Sequence, residues 1–375
     1  MLQSDSTAKQ KDKDNEKPVL YMIGHAPDAK YLKRLLEGAK GNIKALSFVS
    51  TDNKNDCLDV IREAGIEYSH NRMLFESRDK FDFAKARNYA LEHAKKMGKW
   101  LFWLDCDDIV RDYTPILSAI NSGRYEAYAI NYHVSANLAQ IAKIRLHQKE
   151  WSWFGRIHEE VINKDRDYEV CLIKEALVIH SPDDDKSNHD FHISLLKDNI
   201  KTSEADYTYI AKEYFNSLRF EETLQYVDKA IAIHSYPHEV YNLMLMKALS
   251  LLSLKREEEA LNELEKALHY RPFRKEAYFH LANLYGGRGD KKPCTAKETS
   301  NLQKGLGYIS ACNNLPVTND PMINREIYEK TGYMLYASFL IKFMDYGKAL
   351  EVLDKVKEPD EKCEELRKLA IDKKQ

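Results

Sequence analysis

Three aspartates follow directly after a run of large apolar residues. The segment WLFWLDCDD, residues 100–108, ends in Asp105, Asp107 and Asp108. Side chains alternate between the two faces of a strand, so we expect Asp105 and Asp107 to point the same way. Two carboxylates on one side repel unless a cation or hydrogen-bond donors lie between them. Mg²⁺ and Mn²⁺ suit such a site, because they accept one or two carboxylates together with water and substrate phosphates. The alternative is a solvated acidic turn at the end of a strand.

Other residues with chemical potential lie on both sides of this cluster. Arg87 belongs to an amphipathic segment upstream, where a buried arginine braces carboxylates or contacts a diphosphate. His158 and Glu159 begin the segment HEEVI, which lacks the second histidine of the zinc-protease motif H-E-x-x-H. His180 follows the apolar run ALVI, either as a metal ligand or as an ordinary residue at a strand end.

The elements that must position these residues are strands alternating with helices. Between residue 18 and about residue 180, the runs PVLYMIG, IKALSFVST, IEYSH and KWLFWLD predict strands. The segments DAKYLKRLLEGAK, CLDVIREAG and KFDFAKARNYALEHAKKMG predict helices between them. This alternation predicts an α/β domain with a mostly parallel sheet covered on both faces. Ligands bind outside the carboxyl ends of the strands in such sheets, and the acidic cluster follows one of those ends.

After about residue 200, strand signals vanish and a helical repeat begins. Five positions recur 37 residues later with similar residue types: Ala211, Tyr214, Thr223, Val227 and Ala230 are followed by Ala248, Leu251, Ala260, Leu264 and Ala267. Pro272 ends the second unit, and a late unit carries Ala337, Leu340, Ala349 and Leu353. The pattern resembles tetratricopeptide repeats, whose period is about 34 residues. A generic array of helical hairpins is the alternative, and both are all-α solenoids.

Length and composition limit the class of protein. A chain of 375 residues exceeds what one core of about 250–300 residues accommodates. We therefore predict a disordered tail over 1–17, an α/β domain over 18–200 and a helical domain over 201–375. The formal charge of −2 gives no overall attraction to nucleic acid or an anionic membrane. No apolar stretch reaches the roughly 20 residues of a membrane helix. Six scattered cysteines and a polar start without a signal peptide favour the cytoplasm.

Five motifs occur in an order that resembles a known family. They are DFAKARN, WLFWLDCDD, the pair RL at 145–146, GRIHE and ALVIH. Together they are similar to family 2 glycosyltransferases that carry C-terminal tetratricopeptide repeats, a group that includes enzymes attaching a sugar to a cysteine of a bacteriocin peptide. The resemblance covers roughly residues 18–200 by motif and the remainder by architecture. It implies a GT-A fold and an inverting transfer from a nucleotide-sugar, with UDP-sugar as the expected donor and Mg²⁺ or Mn²⁺ as the metal.

The resemblance also implies roles for individual residues. Asp105 would contact the nucleoside ribose or the metal shell, and Asp107 would bind the metal that bridges the diphosphate. Asp108 would support Asp107. His180 would complete the metal shell. Glu159 would be the base that takes the proton from the acceptor, with Glu160 as the second candidate.

The donor side departs from the family pattern. Family members usually have D-T-x-S-T-D at the second strand, with an aspartate placed for the nucleobase. Here the stretch VSTDNKND puts Ser50 or Thr51 at that position, with Asp52 as a substitute. We expect Ser50, Asp52 and Arg87 to contact the donor. The departure bears on uracil as the nucleobase of the donor and not on sugar transfer itself.

The acceptor is expected to be a peptide or protein side chain, because helical solenoids offer concave surfaces for extended peptides. Two alternatives within the enzyme class are a modified DNA base and an envelope glycan. The alternative from another class is a catalytically inactive fold that serves as a helical-repeat scaffold. Intact Asp105, Asp107 and Glu159 favour an enzyme, because a scaffold does not need them.

Overall fold

The computed structural model describes residues 16–133, 141–164, 168–181, 188–199, 205–286, 296–318, 320 and 322–374. These residues divide into two compact units, one ending at Asn199 and the other containing the described residues from 205 onward. Of the predicted N-terminal tail, residues 1–15 lie outside the described residues.

Strands and helices alternate in the first unit. Its strands are β1 (Val19–Gly24), β2 (Ala45–Ser50), β3 (Tyr68–Arg72), β4 (Leu101–Trp103), β5 (Asp108–Val110), β6 (Ala127–His133), β7 (Ile141–His147), β8 (Ser152–Phe154), β9 (Glu160–Ile162) and β10 (Val170–His180). Its helices are α1 (Ala29–Ala39), α2 (Asp56–Ala64), α3 (Phe83–Met97), α4 (Thr114–Ser122) and α5 (His189–Asn199). Short 3₁₀ turns cover Ala26–Asp28 and Arg78–Lys80.

Eight strands form one sheet in the order β3-β2-β1-β4-β7-β6-β10-β5, and β8 pairs with β9 in a separate hairpin. Strands β7 and β5 run antiparallel to their neighbours, and the other six strands share one direction. The predicted mostly parallel α/β architecture is therefore confirmed. The parallel strands β2, β1 and β4 end at the same edge of the sheet, and the acidic cluster follows β4.

Alternating apolar residues give the sheet two buried faces. On β1, Leu20 and Met22 pack with α1, α2 and α4, whereas Val19 and Tyr21 pack with α3 and the β8–β9 hairpin. Every residue of β1 except Ile23 is buried, and the Tyr21 hydroxyl is the one polar side-chain group on this strand. Such a pattern is typical of a sheet covered on both faces.

The second unit contains only helices among its described residues. They are α6 (Ala205–Asn216), α7 (Phe220–Ile233), α8 (Pro237–Ser253), α9 (Glu257–Tyr270), α10 (Lys275–Gly286), α11 (Ala296–Asn314), α12 (Gly332–Lys342), α13 (Tyr346–Leu353) and α14 (Glu361–Lys374), with a π-helical turn at Ile327–Thr331 before α12. The ten residues that define the 37-residue period are all buried. The predicted all-α solenoid of tetratricopeptide-like helix pairs is therefore confirmed.

A repeated turn joins the two helices of three of these pairs. Leu218, Lys255 and Met344 adopt left-handed backbone conformations with φ of 60°, 63° and 61°. In each turn the N–H of the following residue donates to a carbonyl five residues earlier, at 2.9 Å. This closes the carbonyl end of the first helix, so the same local geometry recurs with the repeat.

The described helices do not include one with both the length and the apolar character of a membrane span.

Candidate active site

The acidic residues lie in a tight turn between β4 and β5. Strand β4 ends at Trp103, and the N–H of Asp108 donates to the carbonyl oxygen of Asp105 at 3.1 Å. The N–H of Asp105 donates in return to Oδ2 of Asp108 at 3.0 Å. The expectation that Asp105 and Asp107 share one strand face is wrong, because the two-residue period stops where the strand stops. The turn instead directs its carboxylates to two different partners.

Asp108 is fully buried and is held by a buried arginine of β7. Nη1 of Arg145 donates to Oδ2 of Asp108 at 2.8 Å, and both side chains have 0% exposure. The guanidinium lies 4.1 Å from the ring centre of Trp103 and 4.3 Å from that of Tyr132. A buried carboxylate needs such a counter-charge, because desolvation strongly disfavours an isolated ion.

Asp107, Asp108 and His180 bring three ligand atoms together within 4.8 Å of one another. His180 is the last residue of β10 and lies opposite Asp108 in the antiparallel pairing with β5. Its Nδ1 is 3.4 Å from Oδ1 of Asp107 and 3.6 Å from Oδ1 of Asp108. The side chains of Asp107 and His180 remain 23% and 29% exposed, so a substrate can reach them. The structure thus joins the predicted ligands Asp107 and His180 and adds Asp108 to them.

These three residues fit a divalent cation. Oδ1 of Asp108 and Nδ1 of His180 are buried and make no hydrogen bond with any part of the chain that the structure describes. Ligands bound at about 2.1 Å and about 90–110° lie about 3.0–3.4 Å apart, close to the distances measured here. Interaction with the carboxylates of Asp107 and Asp108 raises the pKa of His180 to about 10, so a cation that binds must displace a proton. Carboxylates suit Mg²⁺ and Mn²⁺, whereas imidazole suits later transition metals, so the mixed set fits more than one divalent cation.

Asp105 faces the other way and pairs with Arg87 of α3. Nη2 of Arg87 donates to Oδ1 of Asp105 at 2.6 Å, and Nε of Arg87 donates to Oε1 of Glu159. The guanidinium lies 5.3 Å from the ring centre of Trp103 and 4.9 Å from that of Trp153. Burial alone would raise the pKa of Asp105, but the Arg87 guanidinium outweighs it and holds that pKa well below its usual range.

Glu159 lies in the loop of the β8–β9 hairpin, which α3 holds in place. Asn88 of α3 donates from Nδ2 to the carbonyl oxygen of Trp153 at 2.9 Å and accepts from its N–H at 2.8 Å. Gly155 and His158 have φ of 93° and 53°, which turns the chain back toward β9. For a histidine this left-handed conformation is uncommon, and it directly precedes the proposed base. Glu160, by contrast, is an exposed residue at the start of β9.

Ser50 and Asp52 lie at the end of β2, one strand beyond β1 and two beyond β4. Ser50 is 1% exposed, and its Oγ is 2.8 Å from Nε2 of His70. Oδ2 of Asp52 accepts a hydrogen bond from the N–H of Ala26 at 2.7 Å, which ties the loop after β1 to the end of β2. Neighbouring strands are about 4.8 Å apart, so these groups lie about 10 Å along the sheet edge from the end of β4.

The structure therefore joins the predicted residues into two adjacent groups and leaves one pair apart. The metal-site group contains Asp107 and His180, and the second group contains Arg87, Asp105 and Glu159; Ser50 and Asp52 lie farther along the edge. Sequence reasoning missed the role of Arg145, although it quoted the RL pair to which this arginine belongs. Strand β7 also carries Lys143 and His147, so its sequence, IAKIRLH, gave no signal that singles out Arg145.

The sequence matches no protein-family model, and it has no significant match among curated proteins. Among solved structures, the C-terminal part of a TPR repeat-containing protein from Cytophaga hutchinsonii is 12% identical over 48% of this chain and 60% of that chain, with a TM-score of 0.35. PilF of Pseudomonas aeruginosa is 14% identical over 49% of this chain and 83% of its own, with a TM-score of 0.35. Residues 1–349 of S. aureus TarS are 11% identical over 68% of this chain and 92% of that one, with a TM-score of 0.34. Matches at these TM-scores do not bear on the activity of this chain.

Proposed function

We propose that this protein is a metal-dependent inverting glycosyltransferase that moves a sugar from a nucleotide-sugar, with UDP-sugar as the first choice, to a peptide or protein side chain. The observation that carries the proposal is the pairing of two sites at one sheet edge. A set of residues that fits a divalent cation shares a single four-residue turn with a carboxylate linked to a candidate base.

The metal-site group supports a diphosphate leaving group. Asp107, Asp108 and His180 would hold Mg²⁺ or Mn²⁺, which neutralises the charge that develops on a departing nucleoside diphosphate. Asp105 leaves the same turn toward the side of Arg87, where it can accept a hydrogen bond from a ribose hydroxyl. The nucleobase would lie at the sheet edge near Asp52, with the buried Ser50 beneath it held by His70, in agreement with the general position of ligands in α/β sheets.

Glu159 would act as the general base. Its carboxylate takes the proton of the acceptor group while the acceptor atom attacks the anomeric carbon, and the bond from that carbon to the diphosphate oxygen breaks with its electron pair on the leaving group. One displacement of this kind inverts the anomeric configuration. General base catalysis contributes about 10²–10⁴-fold to such a step.

The helical unit would hold the acceptor peptide. A groove of about 400 Å³ lies among α7, α8 and α9 and is lined mainly by polar and charged side chains, including Gln225, Lys247, Arg256 and Asn262. Such side chains can donate to and accept from the backbone of an extended peptide, as is usual in helical-repeat proteins.

The test combines metal binding with donor binding in the full-length protein. Thermal melts with UDP-glucose, UDP-galactose and UDP-N-acetylglucosamine should show one donor that raises Tm in Mn²⁺ but not in EDTA, because only ligands of the native state stabilise it. Free Mn²⁺ measured by electron paramagnetic resonance gives a second readout that does not depend on activity. Asp107→Asn should weaken Mn²⁺ binding at least about tenfold, the lower range for damage to a metal site.

Asp59→Asn is the matched control, since Asp59 is an exposed aspartate of α2 whose side chain is 61% exposed. It should leave Mn²⁺ affinity and donor hydrolysis unchanged. Full donor hydrolysis in excess EDTA, or unchanged Mn²⁺ affinity in Asp107→Asn, would contradict a metal-dependent mechanism at this site.

A further inference from the structure

One guanidinium connects the two carboxylates that the proposed reaction needs. Arg87 contacts Asp105, which lies 18 residues later in the turn after β4, and Glu159, which lies 72 residues later in the hairpin loop. The two contacts use different nitrogen atoms, Nη2 for Asp105 and Nε for Glu159. Three separate elements of the first unit therefore meet at one side chain.

The surroundings of Arg87 indicate that it does not itself receive the substrate. Its side chain is 9% exposed, and the rings of Trp103 and Trp153 both contact the guanidinium. Arginine presents its N–H groups in a rigid plane, so two acceptors bonded to one guanidinium have a fixed separation and orientation. A lysine ammonium has no such plane and can rotate between partners.

The two carboxylates depend on this link. Carboxylates brought to one site repel, and a cation between them allows both to remain. The side chain of Glu159 is only 9% exposed, so bulk solvent screens its charge weakly.

Arg87 and the adjacent Asn88 have separable tasks. Asn88 holds the same hairpin through the backbone of Trp153 and, among the described residues, makes its hydrogen bonds with neither carboxylate. Arg156 adds a further tie from the hairpin loop to the carbonyl oxygen of Phe81 at 2.8 Å. The hairpin therefore stays attached to α3 without Arg87, but the side chain of Glu159 loses its fixed position.

We propose that Arg87 is a positioning residue that sets the placement of the acceptor-side base Glu159 relative to the donor-side carboxylate Asp105. The proposal rests on the proposed glycosyltransferase function and deepens it. Reacting atoms must approach to about 3–3.5 Å in line, and a displacement of about 1 Å costs about 10²-fold in rate. A single planar group that holds both carboxylates limits such displacement.

The experiment uses the full-length protein and water as the acceptor, with whichever UDP-sugar the wild type binds. The measured quantities are kcat and KM for donor hydrolysis, Kd for UDP with Mn²⁺, and Tm. Arg87→Met should lower kcat by about 10²-fold or more and weaken UDP binding through Asp105. Arg87→Lys should recover most of the Tm lost in Arg87→Met but little of the kcat, because the charge returns without the planar fork. Asn88→Ala should lower Tm with a much smaller effect on kcat.

A double-variant cycle separates positioning from a general structural effect. If Arg87 acts on kcat through Glu159, the combined Arg87→Met and Glu159→Gln variant should have a kcat within about threefold of Glu159→Gln alone. Any of three results would overturn the role of Arg87. The first is a kcat reduction in the double variant equal to the product of the two single reductions. The others are a wild-type kcat in Arg87→Lys and a kcat loss in Asn88→Ala as large as that in Arg87→Met. A wild type that binds and hydrolyses no UDP-sugar would overturn the proposed function, and with it this inference, before any variant is compared.

Discussion

The buried ion pair between Arg145 and Asp108 can be tested without any ligand. Both side chains have 0% exposure, and Nη1 of Arg145 is 2.8 Å from Oδ2 of Asp108. Arg145→Met keeps a long apolar chain but leaves the Asp108 carboxylate buried without its cation. Opposite charges about 4 Å apart attract by about 4 kcal/mol at an effective dielectric constant of about 20. Breaking a buried pair by removing one partner costs about 3–5 kcal/mol, in agreement with that value.

The expected result is therefore a loss of about 3–5 kcal/mol in the free energy of unfolding of the first unit. For a unit of this size each kcal/mol shifts Tm by about 2–4 °C, so Tm should fall by about 6–20 °C. All four tryptophans, at positions 100, 103, 151 and 153, belong to the first unit, so tryptophan fluorescence during urea or thermal unfolding reports on that unit.

Two further variants make the result specific. The combined Arg145→Met and Asp108→Asn variant should recover part of the loss, because no charge then remains buried. Arg62→Met is the control, since it removes an exposed ion pair with Asp59 in which the arginine side chain is 58% exposed. It should change stability by less than about 1 kcal/mol. The reasoning is refuted if Arg145→Met stays within 1 kcal/mol of the wild type, a margin below the cost of breaking a buried pair.

Two other predictions concern acid stability and the repeat turns. Fully buried His147 donates from Nδ1 to the carbonyl oxygen of Gln148 and accepts the Tyr21 hydroxyl at Nε2, and burial lowers its pKa to about 4. The unfolded state binds a proton at His147 near pH 6.5 and the folded state does not, so the free energy of unfolding should fall by about 3 kcal/mol as pH falls from about 6.5 to 4. In urea titrations, His147→Gln should lose less stability over this pH range than the wild type. Equal losses in the two proteins would contradict this prediction. Lys255 is exposed and has φ of 63°, so Lys255→Gly should raise the free energy of unfolding by about 0.5–1 kcal/mol, measured by urea unfolding with far-UV circular dichroism. Glu258→Gly, in the first turn of α9, should lower it by about 1 kcal/mol. A loss of stability in both variants would refute the turn argument.

Local patterns were sufficient to predict much of the fold. The predicted first strand, PVLYMIG, corresponds to β1 (Val19–Gly24), and the segment KFDFAKARNYALEHAKKMG contains α3 (Phe83–Met97). The first is a continuous apolar run and the second has the apolar spacing of a helix, and local sequence determines both signals. The fourth strand was predicted to include Asp105 but ends at Trp103, because the hydrogen bond from Asp108 to Asp105 closes a turn there. In this turn the buried Asp108 side chain accepts a hydrogen bond from the Asp105 N–H. Such a contact leaves no apolar periodicity in the sequence, so the sequence did not predict the turn.

The candidate site could be predicted only in part, because long-range pairing assembles it. Asp107 and His180 were expected near each other from resemblance, but the antiparallel pairing of β5 with β10 is what places His180 opposite Asp108. That pairing joins segments about 70 residues apart, and no local pattern reports it. The hydrogen bond between Ser50 and His70 was likewise not predicted, because the parallel pairing of β2 and β3 brings these two residues together.

The apolar segment that precedes the three aspartates has a purpose beyond filling the core. The ring of Trp103, the last residue of β4, lies 4.1 Å from the guanidinium of Arg145 and 5.3 Å from that of Arg87. Arg145 holds Asp108, and Arg87 holds Asp105, so one indole contacts both cations that keep the turn's carboxylates apart. Aromatic faces stabilise guanidinium groups most where water is excluded, as it is here. This explains why a buried aromatic strand leads directly into an acidic turn: the last aromatic residue of the strand supplies the surface on which the two guanidinium groups lie, and these groups pair with the carboxylates of the turn.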